Sequence, residues 1–467
     1  MKQSNNCSRS STTSPREKNS TFRKKRKPDR NIKYRKPYII PRENQSSIAI
    51  EDFEKLGFST RRRQRPKNEF KKKIMKATIF SWLIDVGIVQ EDVKIFSMDE
   101  KNKGKIKRDG ILCLCCNKIL SVANFLVHKG VICDKPYENV YLAYKKDFSL
   151  LYYMTKAWNK LEERKWRKMN VIETKDNASD FYDDACMICA DGGILMCCEE
   201  CNSTYHQVCM GVEDVPEGSW YCPYCVCKFC AEPAHENDWL LDCPQCRKRY
   251  HWECHQMIEQ RNLDLNSIPI APFCLRSCKE VCDKLARNMV GKRNELDEGY
   301  SWTLLHHMED GSRMFIEDKH LRTMCNSKLA IARRLMEECF EPIQDSANFN
   351  RIDFKGFYTA ILEKDDEIIS VASLRIHGTK LVEMPFIATS EAYRCKGMCR
   401  KLMDAIESAL CDLNVENLII PSIPERIESW IERYGFCHLD ESMKKEIMVH
   451  NTLMFHDSII ISRWIIK

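Results

Sequence analysis

The chain has 467 residues, of which 27 are cysteine, and its formal net charge is +7. Its apolar runs are shorter than the roughly 18 residues that a membrane-spanning helix needs, and its N-terminus lacks the apolar core of a secretory signal. These features exclude membrane-spanning and secreted proteins and predict a soluble intracellular protein of roughly two to four domains. In a reducing compartment, so many cysteines indicate metal ligands rather than disulfides.

The first 75 residues are strongly basic, with 23 Lys and Arg against 7 Asp and Glu, and contain few apolar side chains. Such a segment cannot bury a core, so residues 1–75 are predicted to be a disordered basic tail. The clusters Arg23-Lys24-Lys25-Arg26-Lys27-Pro28 and Arg61-Arg62-Arg63 are typical of nuclear import, although a merely solvated tail is the alternative. We therefore predict a nuclear protein whose tail also contacts nucleic acid nonspecifically.

Residues 76–170 are predicted to form a small α+β domain. Residues 78–89 have the apolar spacing of an amphipathic helix, residues 108–116 alternate like a strand, and residues 150–169 return to helical spacing.

This small domain also contains a group of possible metal donors, namely Cys115, Cys116, His128 and Cys133. Their spacing does not match a standard zinc site, so we interpret the cysteines as structural thiols and assign no metal to them.

Residues 183–285 carry two consecutive sets of eight Cys and His residues, separated only by Val226. In each set, four cysteines in two pairs precede one histidine and three further cysteines. A two-residue spacer lets two thiolates reach one tetrahedral zinc, and four protein ligands complete a structural site. Each set therefore predicts two zinc ions, about four in the chain. The predicted ligands are Cys186, Cys189, Cys198, Cys201, His206, Cys209, Cys222, Cys225, Cys227, Cys230, Cys243, Cys246, His251, Cys254, Cys274 and Cys278.

The order of these ligands resembles that of the PHD finger. The resemblance implies a cross-brace, in which Cys186, Cys189, His206 and Cys209 share one ion and the remaining four ligands of the first finger share the other. It also favours Cys198 over its neighbour Cys197 as the ligand. We assign residues 183–226 to a PHD finger.

Residues 227–285 are assigned to a second, degenerate finger of the same type. Its last two ligands, Cys274 and Cys278, have a three-residue spacer, and nineteen residues separate them from Cys254. His255 and Cys282 are left over as a spare histidine and a spare thiol.

The first finger is expected to meet a histone tail. The acidic residues Asp183, Asp184, Asp191, Glu199 and Glu200 would attract a basic peptide. PHD fingers that recognise trimethyl-lysine often carry a Trp two residues before the His, where this chain has Thr204. Without that ring the cation–π cage is incomplete, so we predict a preference for unmodified lysine. A finger that only supports its neighbours is the alternative.

The C-terminal third alternates between helix and strand patterns. Residues 327–340 and 400–413 are predicted helices, residues 357–362 and 367–376 a hairpin, and residues 381–388 a strand broken by Pro385. Residues 417–420 are predicted as a short buried strand.

A short motif, Arg394-x-x-Gly397-x-Cys399, lies between a predicted strand and a predicted helix, where amides of a helix N-terminus can bind phosphate. The motif and the element order resemble the GNAT N-acetyltransferase fold, which we assign to residues 300–456. In that family the third position is usually Gly or Ala, so Cys399 is a departure. The resemblance implies that acetyl-CoA is bound by Phe386, Ile387, Arg394, Cys395, Lys396, Gly397, Met398, Cys399 and Arg400.

Two catalytic residues are also implied by that resemblance. Glu383 corresponds to the general base that removes a proton from the attacking lysine. Its apolar neighbours are expected to raise its pKa toward neutral pH, and a solvent-facing Glu is the alternative. Tyr434 corresponds to a residue that protonates the leaving thiolate, although it could serve only in packing.

The complete order of tail, small domain, two fingers and acyltransferase domain resembles a plant family of PHD-finger N-acetyltransferases. The resemblance implies a nuclear chromatin regulator that reads a histone tail and acetylates a histone lysine. It also implies that residues 76–170 form an adaptor domain, similar to Tify- and co-repressor-binding domains. The alternative is an inactive chromatin reader or transcriptional adaptor. A ubiquitin ligase is disfavoured, because each His is the fifth ligand of its set rather than the fourth.

Overall fold

The computed structural model describes residues 76–128, 130–162, 171–173, 181–234, 239–259, 273–308, 318–340, 351–353, 356–455 and 458–466. The predicted disordered tail and its two basic clusters lie outside these residues. None of the described helices is both long enough and apolar enough to cross a membrane.

The N-terminal domain is a six-stranded antiparallel sheet in the order β4-β3-β2-β1-β5-β6, accompanied by three helices. Its first helix begins after Thr78, whose hydroxyl accepts a hydrogen bond from the Ser81 amide at 3.0 Å and so caps the helix. The elements are α1 (Ile79–Asp85), β1 (Lys94–Ser97), β2 (Lys103–Lys107), β3 (Gly110–Cys113), β4 (Ile119–Leu120), α2 (Val122–Val127), β5 (Val140–Leu142), β6 (Lys145–Ser149) and α3 (Leu150–Glu162).

The two fingers follow as short hairpins and helices. Their elements are β8 (Met196–Cys197), β9 (Thr204–Tyr205), α4 (Gln207–Met210), β10 (Leu241–Asp242), β11 (Arg249–Tyr250), α5 (Trp252–Glu259) and α6 (Arg276–Lys284). Before them, β7 (Val171–Glu173) pairs with β14 (Arg351–Asp353) in a separate two-stranded sheet.

The C-terminal domain is a nine-stranded sheet in the order β12-β13-β15-β16-β17-β19-β21-β20, with β18 also paired to β16. Its remaining elements are β12 (Arg293–Glu295), β13 (Tyr300–Leu305), α7 (Lys319–Cys339), β15 (Phe357–Lys364), β16 (Glu367–His377), β17 (Leu381–Glu383), β18 (Ile387–Thr389), α8 (Met398–Asp412), β19 (Asn417–Ser422), α9 (Pro424–Tyr434), β20 (Cys437–His438), α10 (Glu441–Met448) and β21 (Ile459–Trp464). The sheet thus extends on both sides of the 300–456 segment assigned from the sequence.

The strand pairing opens this sheet at its centre. β17 and β19 are parallel and stay paired for three residues each, 381–383 with 417–419. The chain then breaks at Pro385, as the sequence predicts, and β18 resumes pairing with β16 while β19 stays paired with β21. The two central strands therefore part, and a cleft forms between β18 and β19.

The N-terminal domain shares one continuous apolar core with the C-terminal sheet. Polar contacts cross the same boundary. The Asp366 carboxylate, on the turn between β15 and β16, accepts a hydrogen bond from the Val122 amide at 2.7 Å. Asp85 forms an ion pair with Arg334 of α7 at 2.6 Å. The sequence analysis assigns residues 76–170 and 300–456 to separate domains. In the structure the N-terminal domain and the C-terminal sheet share one apolar core.

Candidate functional site

The first zinc-type group of the PHD finger contains Cys186, Cys189, His206 and Cys209, whose donor atoms all lie within 4.8 Å of one another. His206 Nδ1 is 3.2 Å from Cys189 Sγ and 3.8 Å from Cys209 Sγ. His206 Nε2 lies 3.1 Å from the carbonyl oxygen of Gly192. A hydrogen bond to that carbonyl places the ring proton on Nε2 and leaves the Nδ1 lone pair directed at the thiols, which is the usual support for a metal-binding histidine.

The second group of this finger contains Cys198, Cys201, Cys222 and Cys225. The Cys222 amide donates to Cys198 Sγ at 3.2 Å, and Cys201 Sγ lies 3.8 Å from Cys222 Sγ. Cys197 lies outside this group, in β8. The two groups interleave along the chain as the PHD resemblance implies. Their donor sets, Cys₃His and Cys₄, suit tetrahedral zinc.

The second finger repeats this arrangement. Cys227, Cys230, His251 and Cys254 form one group, in which His251 Nδ1 is 3.3 Å from Cys230 Sγ and Nε2 is 3.2 Å from the Pro233 carbonyl oxygen.

The other group of the second finger includes the irregularly spaced pair, Cys274 and Cys278, together with Cys243 and Cys246. The spare residues stay outside it. His255 Nδ1 lies 3.1 Å from the Cys274 carbonyl oxygen, and its ring stacks on Trp252. Lys228 Nζ lies 3.1 Å from Cys274 Sγ, where its charge can offset that of thiolates.

Both fingers pack against the C-terminal sheet. Ala185 and Ala190 of the first finger belong to a buried cluster with Leu381 of β17 and Ile419 of β19. In the second finger, the Gln245 side-chain amide donates to the Ile376 carbonyl at 3.1 Å, and Lys248 pairs with Glu446 of α10 at 3.3 Å.

The second finger also approaches the sheet at Gly378, on the turn between β16 and β17. A Cβ atom at this position would lie 3.4 Å from Cys246 Cβ and 3.6 Å from Cys278 Sγ. Gly378 also has a φ of +66°, which favours glycine. The Cys₄ group of the second finger is therefore in direct contact with the C-terminal sheet.

The acidic surface predicted for the first finger is smaller than expected. Asp183 is buried, and its carboxylate accepts a hydrogen bond from the Asn202 side chain at 3.0 Å. Glu200 is half-buried and pairs with Arg249 of the second finger at 3.3 Å. Asp191 and Glu199 remain exposed. Asp183 therefore does not belong to a peptide-binding surface, because the fold of the finger uses it internally.

Thr204, at the position of the missing aromatic cage residue, is fully buried. Its hydroxyl lies 2.7 Å from the Ala185 carbonyl oxygen and 3.0 Å from that of Asp183. The side chain therefore faces into the finger and offers no surface to a methylated lysine.

The opening between β18 and β19 is a cavity of about 580 Å³. Seven of the nine residues assigned to acetyl-CoA line it, namely Ile387, Arg394, Cys395, Gly397, Met398, Cys399 and Arg400. Phe386 does not, because its ring is buried against Phe340 and Phe455 with centroid separations of 5.2 Å and 5.4 Å. Lys396 is exposed beside the Tyr393 ring and is also absent from the lining. For these two residues the assignment stays a prediction.

The helix α8 begins at the edge of this cavity. Gly397, its N-cap, has a φ of +80°, and a Cβ there would meet nothing within 4 Å. Cys395 also has a positive φ, +60°. The first amides of an α-helix lack intrahelical partners and attract anions. An open glycine turn and a helix N-terminus at a cavity of this size fit the pyrophosphate and pantetheine arm of acetyl-CoA.

The sequence analysis named Tyr434 but missed the helix α9 that carries it and the other cavity-lining residues of this helix. Arg426, Trp430 and Tyr434 all line the cavity, and their four-residue spacing places them on one face of the helix. Pro424 at the start of α9 and Gly435 at its end, with a φ of +68°, are signals that could have predicted this helix.

Tyr434 lies beside Cys399 in the lining of the cavity. Burial, followed by a hydrogen bond with the Cys399 thiol, raises the pKa of the Tyr434 phenol. The Arg400 guanidinium lies 5.0 Å from the centre of its ring. The phenol therefore stays protonated at neutral pH.

Glu383 lies outside the residues that line the cavity and is 1% exposed. One carboxylate oxygen accepts hydrogen bonds from Arg375 Nε and, at 2.9 Å, from His377 Nε2. The other accepts from the Leu453 amide at 2.8 Å. Burial alone would raise the pKa of Glu383, but Arg375, His377 and the Leu453 amide together lower it to about 2. The expectation of a raised pKa is therefore wrong, because the strand opposite β17 supplies a buried cation.

Comparisons with known proteins match three parts of the chain. Three family models match the chain: "Tify domain binding domain" over residues 104–150, "PHD-finger" over 186–225, and "Increased DNA methylation 1, C-terminal domain" over 334–464. The Arabidopsis thaliana protein Increased DNA methylation 1 is 36% identical over 410 residues, which cover 83% of this chain and 34% of that protein. Over most of its own length, the chain is similar to Increased DNA methylation 1. The resemblance to plant PHD-finger proteins is thereby confirmed, and the chain spans about a third of the length of Increased DNA methylation 1.

Shorter matches include two other proteins. The mouse histone-lysine N-methyltransferase, H3 lysine-36 specific, is 45% identical over 84 residues, which are 17% of this chain and 3% of that protein. Bovine Protein Jade-1 is 37% identical over 82 residues, 16% of each chain.

Among solved structures, the Elizabethkingia anophelis GNAT family acetyltransferase with acetyl-CoA bound covers 23% of this chain and 76% of its own, at 17% identity and a TM-score of 0.19. The Escherichia coli ribosomal-protein-S18-alanine N-acetyltransferase covers 24% and 72%, at 15% identity and a TM-score of 0.19.

Proposed function

We propose that the chain is a nuclear chromatin regulator that binds a histone tail through its first finger and transfers an acetyl group from acetyl-CoA to a histone lysine. The observation that carries this proposal is the cleft between β18 and β19, with the N-terminus of α8 at its edge. The kinship with Increased DNA methylation 1 and the match to the PHD finger support a role in chromatin. Four zinc ions, two per finger, are part of the proposal.

In this proposal the pyrophosphate of acetyl-CoA is held by the first amides of α8 and by the lining residues Arg394 and Arg400. When bound, acetyl-CoA supplies a thioester carbonyl for the amine to attack. Solvent would take the extra proton of the lysine ammonium. Tyr434, which lines the cavity, would give its phenolic proton to the departing thiolate and take back the proton that the nitrogen loses on forming the amide. Holding both reactants in one cleft makes the transfer direct.

We assign Glu383 a positioning role rather than the role of proton acceptor. A carboxylate with a pKa of about 2 is a weak base at neutral pH. Its oxygens are already occupied by Arg375, His377 and the Leu453 amide. Glu383 therefore acts by fixing the chain around Leu453 against β17.

The transfer is tested with purified protein, labelled acetyl-CoA and core histones. Wild type is expected to label histone. Tyr434→Phe keeps the ring but removes the proton, so turnover should fall about tenfold or more with acetyl-CoA affinity unchanged. Gly397→Ala should instead weaken acetyl-CoA binding, because an L side chain is strained at a φ of +80°. Gly211→Ala, equally strained at +66° but in the first finger, is the matched control.

The outcomes separate the two candidate functions. Acetyl-CoA binding without transfer to any histone would contradict the enzyme and leave a chromatin reader or adaptor. Failure of both binding and transfer would remove acetyl-CoA from the proposal altogether.

For the histone tail, we propose a preference for an unmodified lysine. Buried Thr204 supplies no aromatic wall, and the exposed carboxylates of Asp191 and Glu199 suit a positively charged peptide. Titration calorimetry should show weaker binding as the lysine is trimethylated. Tighter binding of the trimethylated peptide would overturn this preference. Asp191→Asn should weaken binding, whereas Asp440→Asn, a helix cap of α10, is a control outside the finger.

Further partners are proposed for the N-terminal domain and the basic tail. We propose that the 76–170 domain binds a co-repressor or another chromatin-complex protein, since residues 104–150 match the Tify domain binding domain. A pull-down with a Tify-domain peptide that recovers nothing would remove this partner. Nuclear import and nonspecific nucleic-acid contact by residues 1–75 remain predictions from the basic clusters, and a reporter fused to this tail that stayed in the cytoplasm would contradict import.

A further inference from the structure

A fifth group of metal donors lies in the N-terminal domain, outside both fingers. Cys113, Cys115, Cys116 and His128 place their three sulfur atoms and one ring nitrogen within 4.8 Å of one another. Cys115 Sγ is 3.2 Å from Cys113 Sγ and 3.0 Å from His128 Nε2. This is a Cys₃His set, the same set as in the histidine-containing group of each finger.

The spacing of these donors matches that of the finger groups. There, the sulfur–nitrogen distances run from 3.2 Å, between Cys189 and His206, to 3.9 Å, between Cys254 and His251. A tetrahedral zinc with Zn–S near 2.3 Å and Zn–N near 2.0–2.1 Å holds its donors roughly 3.5–3.8 Å apart. The fifth group needs only small adjustments to reach that geometry.

The local fold brings the four residues together from two elements. Cys113 ends β3, and the following turn is closed by hydrogen bonds from the Cys113 amide to the Lys118 carbonyl at 2.9 Å and from the Asn117 amide to the Cys113 carbonyl at 3.0 Å. His128 is the C-cap of α2. Phe125 of α2 is fully buried in the domain core, so the end of the helix is held over the turn.

These side chains are too exposed to serve only as packing residues of the domain core. Cys115 and His128 are exposed and Cys116 is half-exposed; only Cys113 is buried. A structural thiol is normally enclosed in apolar surroundings, whereas three donors here face one another at the surface. Cys133, which the sequence placed with this group, lies outside it, and Cys113 takes its place.

We propose that Cys113, Cys115, Cys116 and His128 bind one zinc ion as a fifth structural site. The ion would tie the end of α2 to the turn between β3 and β4. The other end of α2 is already tied to the C-terminal sheet, through the hydrogen bond between the Val122 amide and Asp366. The helix has only six residues and cannot be stable alone, so a metal clamp at its free end would fix this contact between domains.

The test counts bound metal on the full-length chain by native mass spectrometry after purification with zinc. His128→Ala is expected to carry one zinc ion fewer than wild type. His128→Cys, which restores a donor, and Cys133→Ser, which removes a neighbouring thiol outside the group, are both expected to keep the wild-type count. The comparison is a difference between variants, so it does not depend on how many ions the fingers hold.

Equal counts in wild type and His128→Ala would overturn the proposal. A mass two hydrogens lower, with no ion lost in the variant, would also overturn it and indicate a disulfide in this group. If His128→Ala does not fold, as judged by circular dichroism, Cys115→Ser replaces an equally exposed donor and is judged by the same count.

Discussion

Replacing Cys246 with serine should destabilise the C-terminal sheet and not only the second finger. Cys246 belongs to the Cys₄ group that touches Gly378 on the turn between β16 and β17. Structural zinc contributes of the order of 10 kcal/mol to the folding of small zinc domains, and Gln245 and Lys248 transmit the loss to β16 and α10. We expect the unfolding temperature of the whole chain to fall by about 10 °C or more, with acetyl-CoA affinity falling at least about tenfold.

The matched control is Cys282→Ser. Cys282 is a buried thiol on α6, one turn after Cys278, and lies outside the metal groups. Differential scanning calorimetry and acetyl-CoA titration measure the two effects. A Cys246→Ser protein that loses one ion but keeps its unfolding temperature and acetyl-CoA affinity would show that the finger merely rests on the sheet.

Replacing Glu383 with glutamine should lower the free energy of unfolding by about 3 kcal/mol or more. The substitution leaves the buried Arg375 guanidinium without its counterion, and removing one partner of a buried pair is costly for this reason. Urea unfolding measures the loss. Glu416→Gln, which breaks the exposed pair of Glu416 with Lys380, is the control and should cost below about 1 kcal/mol.

The pH dependence follows from the lowered pKa of Glu383. A carboxyl group with a depressed folded-state pKa contributes stability above its unfolded pKa, about 4.3, and that stability is lost as pH falls toward 2. The wild-type contribution should be constant above about pH 5, and the variant should lack the acid-side loss that is due to this group. Normal stability of Glu383→Gln, combined with abolished transfer and a vanished acidic limb in the pH–rate profile, would restore Glu383 as the general base.

The sequence predicted best those features whose residues lie close together in the chain, such as paired metal ligands and turns. The two-residue spacers define the finger groups, and Pro385 marks the break that opens the central strands, because both depend on residues close together in the chain. The hairpin of β15 and β16 was predictable for the same reason.

The sequence could not predict contacts between residues that are far apart in the chain and are brought together by strand pairing or packing. Arg375 faces Glu383 through the antiparallel register of β16 and β17, so the pKa expected from its immediate neighbours was wrong in direction. Cys113 replaces Cys133 in the fifth donor group because α2 folds back onto the end of β3. The contact between Cys246 and Gly378 spans more than a hundred residues of chain, and no local pattern encodes it.

The packing of both fingers on the sheet has a consequence for how a substrate is selected. Ala185 and Ala190 attach the first finger to β17 and β19, and a single residue, Val226, separates it from the second finger, which is attached at Gly378. A histone tail bound by the first finger would thus be held at a fixed distance from the cleft. An extended peptide spans about 3.3 Å per residue. Under the proposed function, the molecule would behave as a ruler: the lysine it acetylates would be chosen by its distance in residues from the gripped segment, rather than by its immediate neighbours.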